Sequence, residues 1–171
     1  MIASAPYRAL PAIVRMRLAI VQSPQAAASF AADKETLVTK IIDIEGIGPV
    51  FAEKLESAGV KTVEALLAAG GAAAGRNGLA VKTGIDASKL LEWVNRADLY
   101  RIKGVGSEFS DLLENAGVDT VKELATRRAD NLQAKMLEVN EAKKLVRRVP
   151  TLAEVEAWVA EAKTLPAAVT H

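Results

Sequence analysis

Apolar residues recur at intervals of three and four along most of the chain, which is the spacing of amphipathic helices. A first group lies within 33–42, where Asp33 is a good N-cap, and we predict a helix from there to about Ile42. Pro49 suits the first position of the next helix, which we expect to end at Gly59. Thr62 then caps a short helix.

The remaining segments show the same alternation of helix signals and breaks. The glycine-containing stretch 70–78 predicts a flexible loop. Asp86 or Ser88 begins a further helix, and the sequence of 151–154 fits a capping box for the last one. These patterns predict an all-α fold.

The chain also contains an internal repeat. Residues 44–67 read IEGIGPVFAEKLESAGVKTVEALL, and residues 102–125 read IKGVGSEFSDLLENAGVDTVKELA. The identities in register include Gly46 with Gly104, Gly48 with Gly106, Phe51 with Phe109, and Leu55 with Leu113. We therefore interpret the sequence as two copies of one helical unit.

The similarity continues into the second half of each copy, where LLEWVNRADL at 90–99 resembles EVEAWVAEAKTL at 154–165. This match aligns Trp93 with Trp158, and both, like the paired phenylalanines, are expected in the core. The predicted organisation has four segments: an N-terminal extension over 1–32, a first repeat over 33–99, a second repeat over 100–166, and a C-terminal tail over 167–171.

Composition narrows the possible functions. The 171 residues are 50% hydrophobic but only 4% aromatic, which favours helices packed through small side chains. Cysteine is absent and His171 is the only histidine, which excludes thiolate sites and histidine-based triads. We therefore expect no catalytic residue, metal site, cofactor or small-molecule substrate, and thus no enzyme. No apolar run is long enough to predict a membrane span.

Residues 1–32 belong to neither repeat. They carry Arg8, Arg15 and Arg17 and no acidic residue. This composition is typical of an arm that docks a protein partner, and also of an organelle targeting segment. The second interpretation would place the protein in an organelle matrix.

A helix, a Gly-hydrophobic-Gly turn and a second helix resemble the helix-hairpin-helix motif. More closely, residues from about 41 to 166 resemble the bacterial family called domain of unknown function 4332. The matching stretches are IEGIGPVFAEKLESAGVKTVEALLAAG, LLEWVNRADLYRIKGVG and EVNEAKKLVRRVPTLAEVEAWVAEAK. The resemblance implies two tandem, SAM-like helix-hairpin-helix repeats packed together in a cytoplasmic bacterial protein. It implies no activity, because the family is uncharacterised.

In helix-hairpin-helix proteins the glycine turn lies against a nucleic-acid backbone, whose phosphates accept hydrogen bonds from helix amides. The resemblance therefore implies contacts with DNA or RNA at Gly46 and Gly48 and at Gly104 and Gly106, with Arg101 and Lys103 beside the second turn. The chain departs from a good phosphate-binding hairpin because Pro49 and Glu108 stand where a basic residue is usual. The alternative is that the glycines only permit tight helix packing.

A basic cluster lies elsewhere. Lys143, Lys144, Arg147 and Arg148 recur at helical spacings, which predicts one helix face that neutralises phosphates. An ordinary solvated face, balanced by nearby acids, is the alternative. Two hypotheses follow: sequence-independent nucleic-acid binding, or a protein-interaction and assembly module that uses the same repeats.

Overall fold

The computed structural model describes residues 39–170, in which the regular structure is helical. A 3-10 helix at Ile41–Asp43 precedes eight α-helices. Their bounds are α1 Pro49–Ser57, α2 Val63–Gly70, α3 Ala73–Thr83, α4 Ala87–Leu99, α5 Ser107–Asn115, α6 Val121–Leu124, α7 Ala129–Lys143 and α8 Leu152–Ala162. Extended pairing within 39–170 is limited to one isolated antiparallel bridge between Lys40 and Thr62. The all-α prediction is confirmed; the predicted extension over 1–32 lies outside the described residues.

Two clusters of buried side chains form the core. One draws on residues from Ile41 to Ala97 together with Val169, and the other on residues from Leu99 to Ala162. Each contains one tryptophan: Trp93 is 1% exposed and Trp158 is 4% exposed. Both tryptophans are therefore core residues, as predicted.

The helix caps follow the sequence signals. The Thr62 and Thr120 hydroxyls accept hydrogen bonds from the third amides of α2 and α6, at 3.1 and 3.2 Å. Asp86 caps α4 by accepting from the Ser88 amide at 2.8 Å. The predicted capping box is also present, since Thr151 accepts from the third amide of α8 and Glu154 accepts from the Thr151 amide. Because each cap satisfies amides that the helix leaves unpaired, it fixes where its helix begins.

Two predictions of local structure are wrong. The part of the predicted helix 33–42 that lies within the described residues is not α-helical, because Lys40 is extended and a 3-10 turn begins at Ile41. The stretch 70–78 is not a loop, because α3 begins at Ala73 and runs through it. Ala73 and Ala74 favour this helix locally, and contacts of Arg76 with the end of α2 and with Thr170 hold it in spite of its two glycines.

Buried Arg76 explains why α3 packs closely behind α2. Its guanidinium donates to the carbonyl oxygens of Gly70 at 3.0 Å and Gly71 at 2.9 Å, at the end of α2. It also donates to the Thr170 carbonyl at 2.7 Å, and the Thr170 amide donates to Gly71. Val169, beside this pairing, is buried in the first core. The C-terminal segment therefore returns from the second repeat to the first.

Arg96 and Asp98, both on α4, connect the two repeats. Arg96 donates to the Glu45 carbonyl and to the Glu114 carboxylate, each at 2.6 Å. Burial raises the pKa of Glu114 above its ordinary value, although Arg96 beside it acts in the opposite direction. Asp98, only 1% exposed, accepts from the Val121 amide at 2.8 Å and thereby caps α6.

Substitutions of two glycines in α3 would separate the effect of its packing against α2 from the effect of helix propensity. A Cβ on Gly75 would lie 2.0 Å from the Ala69 carbonyl oxygen, whereas a Cβ on Gly78 would meet nothing within 4 Å. We expect Gly75→Ala to destabilise the protein by more than about 2 kcal/mol, because backbone must move. Gly78→Ala should stabilise it by about 0.5–1 kcal/mol. Urea denaturation followed by circular dichroism measures both, and equal effects would contradict the packing described here.

Candidate nucleic-acid interface

The two glycine turns have the same backbone geometry. Gly46 and Gly104 are left-handed, with φ of +87° and +86°. Gly48 and Gly106 are the N-caps of α1 and α5, and a Cβ on either would meet nothing within 4 Å. The outer surface of each turn is therefore open to a large partner.

The turns differ in the donors that they offer. The first amides of a helix have no acceptor inside that helix, so they are available to an anion. In α1 the first residue is Pro49, which has no N–H. In α5 the first residue is Ser107, which keeps its amide, although Glu108 stands next to it. The second turn is therefore the better site for an anion.

A phenylalanine and a tryptophan support each turn from within. The Phe51 and Trp93 rings are 5.2 Å apart, and the Phe109 and Trp158 rings are 5.3 Å apart. Both phenylalanines are partly buried and pack against the cores, so the prediction that they lie in the core is confirmed in part. The turns thus rest on rigid aromatic pairs.

A cation stands over each phenylalanine. Lys89 Nζ lies 4.8 Å from the Phe51 ring centroid, and Arg148 Cζ lies 5.9 Å from that of Phe109. Lys89 was not among the residues predicted from the sequence. Its position four residues before Trp93 was the available signal, because residues four apart share one face of a helix.

Arg101 and Lys103, the two basic residues predicted beside the second turn, have different surroundings in the structure. Arg101 is held within the fold, because it donates to Asp98 at 2.7 Å and to the Pro166 carbonyl at 2.9 Å. Lys103 is exposed, and its backbone amide donates to the Glu161 carboxylate at 3.0 Å. Only the Lys103 side chain therefore adds accessible charge at the turn.

The four residues of the basic cluster do not share a helix face, and that prediction is wrong. Helix α7 ends at Lys143, and Lys144 is left-handed with φ of +54°. Lys143 donates to the Asn115 side chain, and Arg148 donates to both oxygens of Glu154. Lys144 and Arg147 are exposed, and no hydrogen-bond partner for either side chain lies within residues 39–170.

The cluster is nevertheless close to the second turn. Arg148 lies over Phe109, which lines a depression of about 310 Å³ together with Gly104, Gly106, Ser107 and Glu108. The structure therefore brings the end of the cluster to the second turn, while Lys143 lies at the far end of α5.

Glu154 controls the orientation of Arg148. Its carboxylate accepts from Arg148 and from the amide and hydroxyl of Thr151, at 2.8 and 2.9 Å for the last two. These bonds, chiefly the one from Arg148, lower the pKa of Glu154 from 4.5 to about 2.

Across the described chain, no three acidic, histidine or cysteine side chains are placed to hold a metal ion. Among the helices of residues 39–170, none is both long and apolar enough to cross a membrane.

The fold and its paired glycine turns define an all-helical protein that is built on an internal repeat. The model of the family described as Domain of unknown function (DUF4332) matches residues 45–165, which is well over half of the chain. The chain belongs to this family, as its sequence indicated. No solved structure matches it.

The Arg148–Glu154 pair predicts a particular pH dependence. Because the pKa of Glu154 is lowered to about 2 in the fold, its ionised form stabilises the protein above its ordinary pKa of 4.5. That contribution is lost as the pH falls from 4.5 towards 2. We expect the stability difference between wild type and Glu154→Gln to be constant near neutral pH and to shrink over this acidic range.

Thermal unfolding followed at a series of pH values measures this difference. Glu156→Gln, at an exposed carboxylate of the same helix, is the control. A difference between wild type and Glu154→Gln that persists unchanged at the lowest pH would contradict the assignment.

Proposed function

We propose that this protein binds the phosphate backbone of DNA or RNA without reading its sequence, and that it does so without catalysis in the bacterial cytoplasm. In this proposal the two repeats are helix-hairpin-helix motifs, and the second supplies the main contact. The open N-cap of α5 at Gly106, with basic side chains beside it, is the observation that carries the proposal.

Glycine at this N-cap supports the proposal for two reasons. The absence of a side chain allows a phosphate group to approach the backbone closely. The first amides of α5 then donate to the phosphate oxygens, and the helix dipole favours the negative charge. Such contacts position a protein on a nucleic acid but carry no information about its sequence.

Exposed basic side chains add the long-range attraction. Lys103, Lys144 and Arg147 are exposed, and Arg148 stands over Phe109 beside the turn. Glu108 and Glu154 oppose the attraction. Exposed ion pairs contribute little free energy in water, so a phosphate can replace a carboxylate at Arg148. The resulting affinity should be modest and strongly salt-dependent.

The first turn favours a different partner. Pro49 removes one donor there, and the neighbouring apolar side chains Ile42 and Val50 are 45% and 65% exposed. An exposed apolar surface fits a protein better than a phosphate. The second candidate function is therefore protein interaction or assembly, with the first turn as the contact.

Gly106→Asp separates phosphate binding from folding. Aspartate is a preferred N-cap, and the extended backbone at Gly106, with φ of −110°, accepts it. We expect the variant to keep or increase its stability. Its affinity for nucleic acid should fall at least about tenfold, because the carboxylate occupies the anion site. Gly48→Asp is the matched control at the first turn and should bind almost as wild type.

The measurement is fluorescence anisotropy with labelled duplex DNA, single-stranded DNA and RNA. It is made at about 50 and 200 mM salt, where phosphate contacts differ strongly. Failure of the wild type to bind any of these at the lower salt would reject the proposed function and favour a protein partner. Normal binding by Gly106→Asp would reject the second turn as the site.

Charge removal provides an independent test. Replacing Lys143, Lys144, Arg147 and Arg148 together with alanine should weaken binding to every sequence equally. It should also flatten the dependence of affinity on salt, because fewer counterions are released. Affinity that is unchanged for all sequences would exclude this segment from the interface.

A further inference from the structure

We infer that the basic side of α7 continues the nucleic-acid contact away from the second turn, so that the second repeat alone follows the phosphate backbone. This inference rests on the proposed function and extends it. Arg128, the N-cap of α7, Lys135 and Lys143 are seven and eight residues apart. That spacing places them along one side of the helix. We call these three residues, with Arg127, the α7 track.

A pocket lies at the start of the track. Its volume is about 290 Å³, which is ample for a phosphate group, and its polar lining consists of Thr126, Arg127, Arg128, Asn131 and Lys135. The residues that line it include no carboxylate. Its three basic side chains pair with carboxylates outside the lining, at Glu123, Asp130 and Glu138, and an anion in the pocket would replace these exposed partners.

The two arginines are oriented by bonds that leave other donors available. Arg127 donates through Nη2 to the Gly117 carbonyl and to Glu123, and Arg128 donates through Nε and Nη2 to Asp130. A guanidinium has five N–H donors in a rigid plane, so Nη1 of each arginine remains for a phosphate oxygen. The Arg128 side chain is 77% exposed, so its pair with Asp130 is easily rearranged.

Helix α5 connects the track to the second turn. Arg148 stands over Phe109 in the first turn of α5, and Lys143 donates to Asn115, the last residue of α5. The pocket reaches Ala116, immediately after it. A nine-residue helix is about 13 Å long, which corresponds to roughly four nucleotides of rise along one strand. A segment of one nucleic-acid strand about four nucleotides long would therefore reach from the second turn to the α7 track.

The first repeat has no equivalent surface among its described residues. In α3, which occupies the place of α7, Arg76 is buried and donates to carbonyls of the fold. Lys82 is the remaining basic residue of that helix, near its end. The structure therefore assigns backbone tracking to the second repeat.

The test compares Arg127→Ala/Arg128→Ala/Lys135→Ala with a control of equal charge change, Lys54→Ala/Lys61→Ala/Lys82→Ala. The control residues are exposed and lie in the first repeat. With labelled duplex DNA at about 50 mM salt, we expect the track variant to bind at least about tenfold more weakly than the control. The slope of log affinity against log salt should also become less steep by about two to three. Each lost phosphate contact reduces the magnitude of this slope by about 0.9.

Since Arg127 also contacts the fold, a second variant keeps it. Arg128→Glu/Lys135→Glu reverses two exposed charges, and Lys61→Glu/Lys82→Glu is its control. If both track variants bind as their controls do while Gly106→Asp loses binding, the track is overturned and the proposed function stands. If the wild type fails to bind, the proposed function and the α7 track are both rejected. If the track variants lose binding while Gly106→Asp does not, the track is supported and the turn is rejected.

Discussion

Each repeat depends on a left-handed glycine packed against the indole of a buried tryptophan. A Cβ on Gly46 would lie 3.2 Å from Trp93 Nε1, and one on Gly104 would lie 3.7 Å from Trp158 Nε1. Any other residue would also have to adopt the left-handed conformation, at a cost of about 1–2 kcal/mol. The backbone angle favours glycine at both positions, and the close approach to tryptophan adds to this only at Gly46, because 3.7 Å is an ordinary contact distance. The following helix is then directed across the aromatic pair, which leaves its N-cap at the surface.

Helix α4 makes the two repeats interdependent. It supplies Trp93 to the first core, and it reaches the second repeat through Arg96 and Asp98. Arg96 binds both the carbonyl of Glu45 in the first turn and the carboxylate of Glu114 in α5. A displacement of α4 would therefore disturb the first turn, α5 and the α6 cap together. The positions of the two turns are coupled by hydrogen bonds as well as by the chain.

Short sequence patterns correctly predicted the helix caps, which depend only on neighbouring residues. Thr62, Asp86 and Thr151 cap helices as expected, because a cap involves only the few residues after it. The stretch 70–78 was misjudged because its helix depends on a distant contact, that of Arg76 with the C-terminal carbonyl of Thr170. At the candidate site, the glycine turns could be recognised from the repeat. The pairing of Arg101 with Asp98 and Pro166, and of Arg148 with Glu154, could not, because it depends on how separate parts of the chain pack.

The net charge of the protein does not describe the local charge of the surface at the end of α7. The protein carries a formal charge of only +1, and Arg101 and Arg148, near the second turn, each bind a carboxylate. Lys144 differs, because it occupies a left-handed position that glycine would fill at lower energy, and no contact of its side chain within residues 39–170 offsets the strain. The left-handed conformation belongs to the end of the helix, because the Lys144 amide donates to the Asn140 carbonyl at 2.9 Å and so caps α7. Lys144 therefore adds an exposed charge directly after the α7 track, and the charge of this surface is set by local pairing and not by the net charge of the chain.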